Sequence, residues 1–260
     1  MSIDPLDTLS SDIINYLEGI SDPEKVRLSR RWDKDNDYET YGLSAADYTA
    51  LYEAFNPRFR SLAHEQRLRL AEKWASTGNR TLIHLGVHLL RLSERSGDLT
   101  PEDFPFLDAF AGHLQGWGNV DTLCSGVTRP LIEKYPEEVT VLLRKWIASE
   151  SPAKRRASVV TFTRATAESG RYVDITLELC DNLKWDEEDL VRKGVGWALK
   201  DTMRADKQRV LDYVKELRRA GVSSTITLYA IRDLKGEERH RVLAVKPPRR
   251  GKRRKSEDTQ

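Results

Sequence analysis

Asp121 closes the segment Trp117-Gly-Asn-Val-Asp121, and a carboxylate charged at neutral pH stabilises a cation that develops beside it. On a helix Trp117 lies one turn earlier on the same face, so a flat aromatic surface accompanies the acid. A plainer reading stands beside this one: Asn119 looks like an N-cap, Asp121 like a first-turn acid that suits the helix dipole, and Trp117 like a packing residue. A second constellation runs from Val191 to Arg204. Helical spacing puts Lys193, Trp197, Lys200 and Arg204 in one line, with Val191, Val195, Ala198 and Leu199 on the opposite, core-facing stripe. An indole standing among cations suits a polyanion that carries sugar or base faces, which is nucleic acid. Gly194 and Gly196 lie inside that helix, where each costs about 0.8–1.0 kcal/mol against alanine. Something must therefore approach the backbone closely, and a DNA backbone is the expected visitor.

Other residues carry less. Lys154-Arg155-Arg156 opens a helix, and three consecutive positions sweep about 200° of its circumference, so at least one cation turns away from open solvent. His84 and His88 share a face, but Leu85 and Gly86 stand where a zinc-protease helix needs its glutamate, and no metal is expected there. Cys124 and Cys180 are isolated, without the spacing of zinc ligands or of a disulfide framework. No nucleophile sits in a recognisable elbow, and no glycine-rich phosphate loop follows a strand. No metal or cofactor is implied.

The elements that position these residues announce themselves by their starts. Thr100-Pro101, Pro136-Glu-Glu, Ser151-Pro152 and the Asp186–Asp189 acids each put a cap, an N1 proline or first-turn acids ahead of helix formers. Pro101 to Pro136 is 35 residues and Pro152 to Glu187 is again 35. Further starts near Asn119, Gly170, Arg204 and Val222 halve that period, which gives a repeat of two helices. The β-branched runs Val139–Val141 and Ser223–Thr227 phase better as helix than as strand. The expectation is an all-α fold, a right-handed solenoid of HEAT-like helical pairs with a concave face, forming one domain over residues 1–245. Helices over 12–18, 23–32 and 44–55 are expected to cap its N-terminal end across residues 1–58; the first sixty residues carry twelve acids against seven bases.

Hydrophobic residues make up 39% of the chain and charged residues 32%, and no run approaches the ~18 apolar residues of a membrane span. A cytoplasmic monomer without membrane attachment is expected. Net charge is only +2, yet residues 246–260 hold seven bases and two acids, leaving the body near −3. That tail is expected to be disordered and to add sequence-blind phosphate attraction. Within the body, residues 144–171 carry a local +5, enough for a positive strip.

Taken in order, Trp117-x-x-x-Asp121, Arg155-Arg156-Ala157 and Lys193-Gly-x-Gly-Trp197-x-Leu-Lys200 resemble the AlkD-type DNA alkylation-repair glycosylases, a likeness that extends over most of residues 40–235. The resemblance implies a duplex-DNA partner bearing alkylated purines. It implies a catalytic Asp121 beside the deoxyribose of the lesion, with Trp117, Trp197 and Arg156 completing the site and Arg156, Lys193 and Lys200 holding phosphates. It also implies release of 3-methyladenine and 7-methylguanine by hydrolysis of the N-glycosidic bond, without an extrusion pocket for the base. The chain departs from the family pattern at Gly118 and Asn119, where members often carry a second tryptophan and an acid. The competing expectation is a non-catalytic HEAT-like module that binds DNA structures or a protein partner.

Overall fold

The computed structural model describes residues 4–31 and 38–248, which fall into two compact units that meet in sequence between Phe162 and Thr163. Among the described residues the fold is all-α; the sole extended pairing is an isolated bridge between Glu39 and Asn79. The first unit contains α1 (Pro5–Ile20), α2 (Pro23–Arg31), α3 (Ala45–Ser61), α4 (His64–Ala75), α5 (Arg80–Ser96), α6 (Phe104–Ala111), α7 (Gly116–Leu123), α8 (Arg129–Lys134), α9 (Pro136–Ile147) and α10 (Pro152–Val160). The second contains α11 (Ala165–Glu168), α12 (Val173–Asn182), α13 (Asp189–Thr202), α14 (Lys207–Ala220), α15 (Ser224–Ala230) and α16 (Gly236–Ala244). Among the described residues no helix is long and apolar enough to cross a membrane.

Local chemistry explains where these helices begin. Asp4 accepts a hydrogen bond from the Leu6 amide at 2.9 Å and Pro5 follows at N1, so α1 starts well before the expected residue 12. Its apolar positions Leu6, Leu9, Ile13 and Leu17 recur at helical spacing and are buried. Ser44 and Asp47 form a reciprocal capping box at the start of α3, satisfying two amides the helix itself leaves unpaired. That helix continues through Pro57 to Ser61, past the expected end at Phe55. Trp32, the expected end of the second helix, lies outside the described residues.

In the first unit α4 packs on α5 and α9 on α10. Two fully buried tryptophans anchor this core, and each places its indole N–H on a polar partner: Trp74 donates to Ser10 Oγ at 3.0 Å and Trp146 to Asp108 Oδ1 at 2.8 Å. Asp108 also meets Lys145 and Lys154, and these donors hold its carboxyl down at about 2 against the pull of burial. Between α7 and α8 the chain makes a π-helical turn over Cys124–Thr128. Burial, with Asp121 nearby, pushes the Cys124 thiol up to about 12, so it serves as a small apolar residue.

In the second unit α13 is the central helix. Val191, Val195, Ala198 and Leu199 are completely buried, as their spacing predicts. Gly196 is where the structure corrects the sequence reading. A Cβ at this position comes within 2.6 Å of Tyr229 Cβ and 3.0 Å of the Ile226 carbonyl oxygen. The close visitor is α15 of the same unit, not a DNA backbone, and Gly194 is likewise buried. Pro247 and Pro248, expected within a disordered tail, are packed instead: Pro248 lies beside Gly221 at the end of α14, and both prolines help line a cavity of about 610 Å³ with Trp185 and Arg218. Residues 249–260 lie outside the described residues.

Candidate active site

Helix α7 carries the first constellation. Gln115 occupies its N-cap, so Asn119 is not a cap and Asp121 is not a first-turn acid. Asn119 is buried inside the helix, donating from Nδ2 to the Arg80 carbonyl at 3.1 Å and meeting His84 Nδ1 through Oδ1 at 3.2 Å. These two bonds tie α7 to α5 and fix its rotation. Trp117 thereby emerges 52% exposed, and Asp121 stands one turn further along.

Asp121 meets Arg156 from α10. Arg156 Nε donates to Asp121 Oδ1 at 2.9 Å and its NH2 nitrogen donates to Oδ2 at 3.0 Å, a two-pronged pairing. The arginine side chain is 6% exposed and the aspartate 21%. A fork-to-fork pair of this kind fixes the carboxylate plane as well as its charge. Arg156 is thus placed differently from the phosphate contact expected of it: its guanidinium is buried against the carboxylate. The rest of the basic triplet turns away as well. Lys154 reaches Asp108 at 2.8 Å, and Arg155 donates to the Ser149 and Glu150 carbonyls. Two of the five surplus positive charges read from residues 144–171 are offset by acids that precede the window, Asp108 and Asp121.

The second unit holds the other predicted residues on α13. Trp197 is half-buried, and its indole nitrogen donates to Asp201 Oδ2 at 2.8 Å. Lys200 is drawn to Asp201 at 2.7 Å and to Asp233 at 3.2 Å, with its side chain 12% exposed, so its charge is engaged within the protein. Lys193 is exposed and pairs with Asp189 at 2.6 Å. Arg204, the last of the expected line, pairs with Glu168.

A family model described as DNA alkylation repair enzyme matches residues 13–234, a span that takes in α7, α10 and α13. The chain belongs to the DNA alkylation repair enzyme family. Among solved structures, a predicted DNA alkylation repair enzyme from Enterococcus faecalis is similar in fold, with a TM-score of 0.70 at 16% identity, covering 82% of this chain and 96% of that one. No curated protein sequence matches the chain.

Against the DNA alkylation repair family pattern, the departure at Gly118 has a structural counterpart. A Cβ on Gly118 comes within 3.3 Å of an Arg80 guanidinium nitrogen, so Arg80 occupies the space beside this position. The same arginine lies over the Tyr38 ring at 4.8 Å. Nothing in the sequence near residue 118 signals this neighbour. Behind α7, α3 and α5 bring Tyr48 against His84 with the rings tilted and stack Tyr52 on His88. Burial pushes both histidines down, His88 to about 4, and both are hydrogen-bonded to asparagines, His88 to Asn56 at 2.7 Å. Asp201 is the second residue that sequence reasoning missed. It lies four residues after Trp197, and that spacing was the available signal.

Proposed function

We propose that this member of the family is a DNA glycosylase that removes N3- and N7-alkylated purines, such as 3-methyladenine and 7-methylguanine, from duplex DNA. The observation that carries the reading is the pairing of Asp121 with the buried Arg156, one helical turn from an exposed tryptophan. Alkylation at N3 or N7 makes the purine cationic, so it departs without a general acid, and the deoxyribose left behind acquires positive charge as the C1′–N bond breaks. Asp121 stabilises that charge and positions the attacking water. At ~4 Å and an effective dielectric of ~20, the attraction is about 4 kcal/mol, or roughly three decades of rate.

Arg156 holds the carboxylate in orientation. Trp117 packs against the sugar-phosphate backbone on one part of the duplex and Trp197 on another, with Lys193 as a phosphate contact. The reading places the enzyme in the cytoplasm, as a monomer working without metal or cofactor. A non-catalytic DNA-binding module is the second reading, and one observation favours it: both Asp121 oxygens already accept from Arg156.

Incubation with alkylated duplex and detection of free base separates the two. Release of 7-methylguanine or 3-methyladenine by the wild-type chain, lost in Asp121→Asn with duplex binding retained, is the expected result. A mobility shift without release leaves the second reading, and undiminished release by Asp121→Asn removes Asp121 from the chemistry.

A further inference from the structure

Arg164 is the sole non-glycine residue with positive φ among the described residues, at φ 57° and ψ −131°. L side chains rarely adopt this backbone, and it persists only where the surroundings over-determine it. Here the determinant is Asp201, whose carboxylate is nearly inaccessible to solvent. Its Oδ2 accepts from the Arg164 amide at 2.8 Å and from the Trp197 indole N–H at 2.8 Å, while Lys200 lies 2.7 Å from Oδ1. One buried carboxylate thus fixes both the strained turn and the plane of the indole. The turn delivers the Arg164 guanidinium over the Trp197 ring, 5.6 Å from its centroid.

Arg164 differs from the other cations of its neighbourhood in what it does with its charge. Lys200 and Arg204 each meet a carboxylate, whereas Arg164 is exposed and has no ion-pair partner within 4 Å among the described residues. A guanidinium held over an indole face by cation–π attraction keeps donors for the fork that matches two phosphate oxygens. We propose that Arg164, positioned by Asp201 and lying over Trp197, binds a phosphate of the DNA backbone. The residue adds a contact to the functional reading above and rests on it. Asp201 is a positioning residue: it touches no DNA and acts through the two side chains it aligns.

The substitution that tests this is Arg164→Gly, since glycine suits the backbone and removes the side chain that carries the guanidinium. Binding of a fluorescent duplex oligonucleotide is followed by anisotropy over a series of salt concentrations, with thermal melting alongside. The expected result is a melting temperature equal to or above wild type, a loss of affinity on the order of tenfold, and a slope of log K against log salt shallower by about one. Arg164→Gln, which keeps an L side chain on the same backbone but carries no charge, is expected to melt like wild type and to lose affinity and salt slope in the same way. A wild-type chain that binds while both variants match its affinity and slope overturns this proposal alone. A wild-type chain that binds no duplex overturns the functional reading and this proposal with it.

Discussion

Asp121 and Arg156 form a unit, and a substitution distinguishes orientation from phosphate binding. Arg156→Lys preserves the positive charge but cannot make the two-pronged contact with Asp121 Oδ1 and Oδ2. If the arginine acts by orienting the carboxylate, kcat for base release falls by roughly 10–100-fold, the scale of a small misplacement of a catalytic group, while KM for duplex stays within about twofold. Single-turnover release over a range of DNA concentrations reads this split; an unchanged kcat with a raised KM returns Arg156 to the phosphate role. At this scale the sequence was readable in part. The residue types and their spacing singled out Asp121, Trp117 and Trp197. What each side chain touches was not legible, because the partners are distant in sequence: Arg156 lies 35 residues from Asp121 and Arg80 lies 39 from Asn119. Asn119 illustrates the limit, since an asparagine before an acid has the pattern of a cap whether it begins a helix or, as here, sits buried in the middle of one.

Helix starts were legible wherever a side-chain cap or a proline marked them, as at Pro136 and Ser151-Pro152, and the paired rhythm of short helices followed from those marks. Ends were less so, because tertiary packing carries α3 beyond Pro57 despite the amide that proline lacks. The glycines of α13 show how a correct inference about closeness can go to the wrong partner. Both that helix and α15 belong to the second unit, and their contact at Gly196 makes a direct prediction. Gly196→Ala gains about 1 kcal/mol of helix propensity, but the new methyl group stands 2.6 Å from Tyr229 Cβ, and overpacking of this kind costs typically 1–3 kcal/mol. The variant is therefore expected to melt below wild type in calorimetry or urea titration, with Tyr229 as the strained neighbour. If the glycine served only as clearance for DNA, the same change would raise the melting temperature and weaken duplex binding alone.

Charge is the property that belongs to the molecule as a whole. The described body carries most of its cations in pairs, as at Lys145 and Lys154 with Asp108 or Lys200 with Asp233, so little of its positive charge is left to attract a polyanion from a distance. Residues 249–260 have a different composition: six bases and two acids, a net +4. Such a segment contributes to affinity through counterion release and does not discriminate between sequences or lesions. Where it is cut matters. Pro248 packs beside Gly221, so truncation after Val245 strips that packing from the second unit along with charge, whereas truncation after Pro248 keeps the contact and removes a net +4. The shorter cut is expected to leave melting unchanged, to lower duplex affinity at low salt, and to reduce the slope of log K against log salt by several counterions' worth, up to about four if each unit of net charge meets a phosphate. Base release at saturating DNA should persist at the wild-type rate, because none of the residues assigned to the chemistry falls within 249–260. Measuring both quantities on one preparation makes the outcome decisive: a lost release rate with intact melting would assign residues 249–260 to the chemistry itself, and an unchanged salt slope would show that the body alone supplies the phosphate contacts.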